Sequence, residues 1–483
     1  MSSKIKFKLN QIHYKILYFS VIVLLEAIVF WFVSQFITPK FPLAILLLVA
    51  GLIILYFFAK LFRQPVYVLL LGLLAIYNPI YVYLVLTSWW RHGSTRVLIS
   101  AFFIIVLFLI YLTQAWKKKS VKIPSSMDKY LFFSGLLIII IGLISILRGN
   151  DIKFILADMF PLLEFIVYFF FATTFIKNKK QLYIVVFSLI AWLLIIELGG
   201  LIIYIIDPSQ FGYQADPGGI VVKRLADFMA ALTLPLIIGM YIFLPNTKTS
   251  HKVLFTKRKL LFLSLAIIPT ISLLLGFFRS LWLGVLASMM VIFMTVMKRK
   301  VAWKMVFSSL LIVISLFFVI DQTIIIPQKV FNGTSLYTLV EARIFSESFE
   351  SNSIRGRFDD QKLMLKGLQK KPIHGYGLGT APGTSNYYFA LLYMLGLPLT
   401  LIIFTPVYIL YIKLFNVYFL TQNPLDKGIV LGTIAMFTST AVFLLSFPAV
   451  LHFPIFAYLG VFAGIIFLIP KLKDNYVITS PIK

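Results

Sequence analysis

Two arginines and a run of alternating glycines stand together in the longest polar segment of this chain, and residues of these types are suited to holding phosphate. The segment spans 322–386 and carries Arg355, Arg357 and PIHGYGLGT (Pro372–Thr380). A guanidinium fork grips phosphate oxygens bidentately and stays charged at any working pH. Each such hydrogen bond contributes about 1.5–3 kcal/mol. Gly375, Gly377 and Gly379 alternate within the run. Glycine permits positive φ and close backbone approach, so this turn could aim its amides at an anion. No strand–helix unit surrounds it, which separates it from a dinucleotide fingerprint. Arg279 sits alone in GFFRSLWLG (Gly276–Gly284), between two apolar runs, and Arg224 lies between Lys223 and Asp227. Three or four converging arginines would hold a diphosphate group without a metal. A plainer reading stays open, in which Arg279 reaches lipid phosphate. Arg343, Arg355 and Arg357 would then pair with Glu341, Glu347, Glu350, Asp359 or Asp360.

Proton-transfer candidates are few. Glu26, Asp158, Glu164, Glu197 and Asp227 fall within or beside apolar runs. An intramembrane carboxylate is a functional candidate by default, but a neutral, hydrogen-bonded carboxyl between helices is the favoured reading for all except Asp227, the neighbour of Arg224. Asp158 and Glu164 lie six residues apart and do not share a helix face well. The histidines His13, His92, His251, His374 and His452 form no ligand-spaced pair, and cysteine is absent. Neither a metal site nor a cofactor is therefore expected. His374 and His452 are candidate bases near neutral pH, each weighed against an ordinary interfacial hydrogen bond.

The elements that must position these residues are membrane helices. The chain has 483 residues, 60% hydrophobic and only 13% charged, with a mean hydropathy of +0.97. Soluble domains are far more polar, so the expected fold is an all-α polytopic membrane protein. A helix needs roughly 20 apolar residues to cross the hydrocarbon. That criterion predicts spans near 16–37, 43–61, 66–87, 97–116, 130–147, 155–176, 182–206, 225–244, 260–277, 280–297, 303–321, 387–412, 428–448 and 453–470. Pro79 and the tight turn at Phe278–Arg279 blur two divisions, giving 12–14 spans. Helices 1–321, an outer loop 322–386, helices 387–470 and a tail 471–483 follow in order. Lys117–Lys119, Lys177–Lys180 and Lys298–Lys300 all fall on the side of the N-terminus. By the positive-inside rule that side is cytoplasmic, both termini lie there, and the long loop faces outward. The net charge of +27 is then explained by orientation and contact with membrane lipids, with no nucleic-acid partner.

RGRFDDQKLMLKGLQKKPIHGYGLG (Arg355–Gly379), followed by SNYYFALLYMLGLP (Ser385–Pro398), resembles the signature of the O-antigen ligase and O-antigen polymerase superfamily. Arg357 takes the arginine position, Pro372, Gly375 and Gly377 match the turn, and Asn386 and Gly396 match the end. GFFRSLWLG resembles the family's Ser-Arg motif, with Arg279 as its arginine, and KRLADFMAALTLPL (Lys223–Leu236) resembles the opening of an earlier helix. Gln361 replaces the usual tryptophan. Ser385 replaces the histidine that is the proposed base in ligases, which fits a polymerase better.

The resemblance implies a multi-pass protein of the cytoplasmic membrane with an extracytoplasmic site. It implies an inverting glycosyltransferase whose donor and acceptor are undecaprenyl-pyrophosphate-linked glycans. Other polysaccharide-assembly proteins, of the O-antigen, capsule or teichuronic-acid type, would be its partners. Arg279 and Arg357 would bind the donor pyrophosphate, helped by Arg224 and Arg355, and Asp227 or His374 would take the acceptor proton. Gly375, Gly377 and Asn386 would line the substrate. A ligase acting on another acceptor is the nearer rival. A lipid-linked glycan flippase is the farther one, since it calls for an internal repeat that the sequence lacks.

Overall fold

The computed structural model describes residues 65–76, 93–118, 126–206, 214–215, 222–223, 229–243, 257–276, 279–296, 352–381, 386–445 and 455–472. Within these lie α1 (Pro65–Ile76), α2 (Gly93–Lys118), α3 (Ser126–Leu147), α4 (Ile152–Phe175), α5 (Lys179–Ile206), β1 (Gln214–Ala215) and β2 (Val222–Lys223). They continue with α6 (Ala230–Phe243), α7 (Lys257–Gly276), α8 (Arg279–Val296), α9 (Asn352–Lys370), α10 (Tyr387–Leu420), α11 (Pro424–Leu444) and α12 (Ile455–Leu468). The strands form a two-residue antiparallel pairing, Gln214 opposite Lys223, and everything else with regular structure among the described residues is helical. Among the described residues, five helices are long and apolar enough to cross a membrane: Lys129–Leu147, Phe154–Phe175, Lys179–Ile202, Tyr387–Leu420 and Pro424–Leu444. The expected spans at 16–37, 43–61 and 303–321 lie outside the described residues. Inside the expected outer loop, α9 is an amphipathic helix of 19 residues.

The chain divides into two compact units, one made of 1–75 and 98–121 and the other of 76–97 and 122–483. In the first, α1 lies so close to α2 that a Cβ on Gly72 would stand 3.0 Å from the Phe103 ring. In the second, the core forms where α11 packs against α6 and α8, and α12 against α4. Between apolar helices in lipid there is little hydrophobic drive, so close backbone packing through small residues holds them. Gly428 and Gly432, four apart on α11, meet Met240 and Leu236 of α6, and a Cβ on Gly239 would stand 2.4 Å from the Gly432 backbone. Gly460 and Gly464 of α12 lie against the Phe165 and Phe169 carbonyls of α4 in the same way. Both are small-xxx-small pairs.

Alternating crossings require that loops sort onto two sides, and in the second unit two loop contacts lie at opposite ends of α4. The α4–α5 and α10–α11 turns meet: Lys179 Nζ lies 2.9 Å from Asp426 Oδ2, and the Tyr183 hydroxyl donates to Asp426 Oδ1 at 2.8 Å. At the other end, Asn150 of the α3–α4 turn reaches the 372–379 segment. Lys179 is thus a buried partner of Asp426 rather than one more solvated lysine of its cluster.

Candidate functional site

The polar segment folds back onto a break in α10, and the break follows from its sequence. In an unbroken helix the amides of Leu397 and Pro398 would serve the carbonyls of Tyr393 and Met394. Pro398 has no N–H, and Gly396 adopts φ 74° and ψ 169°, outside helical space. Both carbonyls are orphaned where unsatisfied backbone is costly. The turn after α9 supplies the missing donors: Tyr376 N donates to Tyr393 O at 3.1 Å and Gly377 N to Met394 O at 2.8 Å. In exchange, Leu397 N donates to Pro372 O at 2.8 Å. Three backbone bonds therefore splice PIHGYG onto LGLP.

Side chains lock the splice. The Tyr376 and Tyr393 rings stack with centroids 4.5 Å apart and planes 9° from parallel. Lys371 Nζ sits 4.3 Å from the Tyr376 centroid, a cation–π geometry. Gly367 gives the room, since a Cβ there would stand 2.2 Å from the Tyr393 ring. Gly375 must be glycine on two counts, its φ of 55° and the 2.3 Å that would separate a Cβ from Met394 O.

The far side of the turn is held by the α3–α4 corner. Leu378 N donates to Ser145 Oγ at 2.9 Å, Asn150 Nδ2 donates to Leu378 O at 3.0 Å, and Gly379 N donates to Asp158 Oδ2 at 2.9 Å. Gly375 N is taken by Lys371 O. All five amides from Gly375 to Gly379 therefore serve protein acceptors. The sequence-based expectation that this turn offers amides to an anion is corrected on that point: the glycines place the segment against α10 and α4 instead. Among the carboxylates, Asp158 gives the favoured bland reading a specific form, a hydrogen-bonded side chain between an apolar helix and the loop.

Asn386 is buried at the N-cap of α10, and its Oδ1 accepts from Tyr388 N and Phe389 N. Its carbonyl oxygen is committed to starting that helix. His374 is exposed on the turn, with its amide N against Gly396. Arg355 and Arg357 belong to the first turns of α9, where their register positions fall about 200° apart around the axis. Arg357 lies seven residues before buried Met364, on the line of α9 that packs toward α10. Arg355 lies seven before exposed Lys362, on the opposite line. Arg279 is the first residue of α8. Five residues on, Gly284 touches the Ser439 backbone near the C-terminal end of α11. Arg224 directly follows β2, and Arg224 and Asp227 lie outside the described residues, as does His452.

Ser145 and Asn150 carried no signal in the sequence beyond being polar at the end of an apolar run. No family model and no curated protein matches the sequence.

Proposed function

We propose that this protein polymerises glycan repeat units carried on a lipid pyrophosphate, at the outer face of the membrane its helices cross. The observation that carries the reading is the splice. The two sequence blocks that resemble the polymerase and ligase superfamily are joined by three backbone hydrogen bonds, and by register Arg357 falls on the same line of α9 as buried Met364. Blocks joined in this way act together, and a site built on fixed elements holds its groups in register.

In this reading Arg357 and Arg279 bind the donor pyrophosphate. The acceptor hydroxyl oxygen attacks the donor sugar C1 from the opposite face, the C1–oxygen bond to pyrophosphate breaks, and configuration inverts. Negative charge grows on the leaving pyrophosphate oxygen, where fixed guanidinium groups stabilise it more than they stabilise the ground state. The hydroxyl proton passes to Asp227 or His374. Arg224 and Arg355 hold the lipid-linked chain at the rim, and Gly375 and Gly377 keep the loop seated. No residue of this scheme calls for a nucleotide sugar.

The test is reconstitution of the purified protein with lipid-pyrophosphate-linked repeat units and no nucleotide, read on a gel. A ladder of products is expected. A single shifted band that needs an added second acceptor would make the protein a ligase. Absence of product with transbilayer movement of the lipid would make it a flippase.

A further inference from the structure

The exposed line of α9 is unaccounted for by the splice. Lys362, Lys366 and Lys370 follow one another at four-residue intervals, all exposed, and therefore form one stripe along the helix. Lysines on the outward side run against the charge bias that orients the rest of the chain, so a stripe of them there needs a reason. Apolar side chains border it, with Leu363 52% and Leu365 41% exposed. At the end of the helix Ile373 is 68% exposed, and its carbonyl lies against Gly396 of α10. Next to it, Leu397 is 49% exposed and bonded to Pro372. One turn further along α10, Leu401 is 58% and Ile402 44% exposed.

Exposed apolar residues thus occur on α9, on the turn after it and on α10. Ile373 and Pro372 are seated against Gly396 and Leu397 of α10, a helix long enough to span, and Leu363 lies on the α9 helix that leads into that turn. A surface of that kind in lipid and a row of ammonium groups beside it meet at one place, the headgroup layer. Lysine stems lie along apolar surface while their charges reach phosphate.

We propose that α9 is a membrane-interface helix, with Leu363 and Ile373 set among acyl chains and Lys362, Lys366 and Lys370 binding the phosphates of anionic lipid headgroups. The proposal does not depend on the glycan reading. It gives the polar segment a fixed height: the splice holds the turn to α10, and the stripe holds the helix to the bilayer surface. Arg357, on the line facing α10, is then kept at headgroup depth.

The chain has no cysteine, so Leu363→Cys can carry a single environment-sensitive fluorophore in the full-length protein. Reconstituted into phosphatidylcholine vesicles with and without phosphatidylglycerol, the label should be quenched by nitroxide lipid labelled near the headgroup and shielded from iodide. Quenching should be stronger in the anionic vesicles. The Lys362→Gln/Lys366→Gln/Lys370→Gln variant should bring the anionic-to-neutral quenching ratio to one. These exposed residues take no part in the splice, so the folded protein persists, and unchanged protection of the Tyr376 amide from exchange verifies this. Iodide quenching without lipid quenching would overturn the proposal by putting α9 in water. Equal lipid quenching in both vesicle types for the unsubstituted lysines would overturn the headgroup contact.

Discussion

Gly375→Ala tests the splice where its chemistry is most constrained. An alanine at φ 55° costs about 1 kcal/mol through the left-handed backbone alone. Its Cβ would also stand 2.3 Å from Met394 O and 2.7 Å from Gly396 N. Both are backbone atoms, so no side chain can swing aside and the turn must lift off α10. Lifting breaks Tyr376 N to Tyr393 O and Gly377 N to Met394 O, at about 1 kcal/mol net each. The two carbonyls are left unpaired, for at least about 1 kcal/mol more. The loss is about 4 kcal/mol, and every 1.4 kcal/mol is tenfold, so local opening should rise by roughly 10²–10³. Hydrogen exchange at the Tyr376 and Gly377 amides reads this directly. Gly149→Ala is the control: its φ is 83°, yet nothing lies within 4 Å of a Cβ there. It should raise exchange by less than about tenfold. Equal acceleration in the two variants, or protection retained in Gly375→Ala, would refute the account of the break.

Asp158→Asn keeps an oxygen for Gly379 N, whereas Asp158→Ala removes it. Exchange at the Gly379 amide should stay near normal in the first and rise about tenfold in the second, if a bond of about 1.4 kcal/mol is lost. Breaking the buried pair by Lys179→Met leaves the buried Asp426 carboxylate with the Tyr183 hydroxyl bond but without the Lys179 charge, and should destabilise by about 3 kcal/mol. A lowered midpoint of thermal unfolding in detergent would register this, and adding Asp426→Asn should restore part of it. Gly432→Ala puts a methyl 2.7 Å from the Leu236 carbonyl and 2.9 Å from its Cα. The α6–α11 crossing should open, and cysteines placed across it should cross-link at least tenfold more slowly.

Long apolar runs declare themselves, so nearly every helix described falls where hydropathy put a span, and ends differ by a few residues at most of them. The α9 helix inside the polar segment was harder to see because its apolar positions, Met364 and Leu368, are few and its exposed line is charged. The glycine turn was visible as a place where backbone comes close, but not what it comes close to. Its partners Ser145, Asn150 and Asp158 are 233, 228 and 221 residues away, and no local pattern encodes a pairing at that distance. The expected span 387–412 carried no break; Gly396 and Pro398 make one in α10, and carbonyl accounting then demands donors from elsewhere without naming them. The glycines of α11 and α12 repeat at four-residue spacing in plain view. Their meaning depends on which helices cross there, which spacing alone does not fix.

The central claim is that Arg357, on the inward line of α9, grips a pyrophosphate through its planar fork. The direct measurement is the initial rate of polymer formation from lipid-pyrophosphate-linked repeat units for Arg357→Lys beside Arg355→Lys. Lysine keeps the charge and loses the fork, so Arg357→Lys should slow the reaction at least about tenfold, for a loss of about 1.4 kcal/mol. Arg355→Lys, on the outward line, should stay within about threefold of the parent. A parental rate in Arg357→Lys would contradict the account.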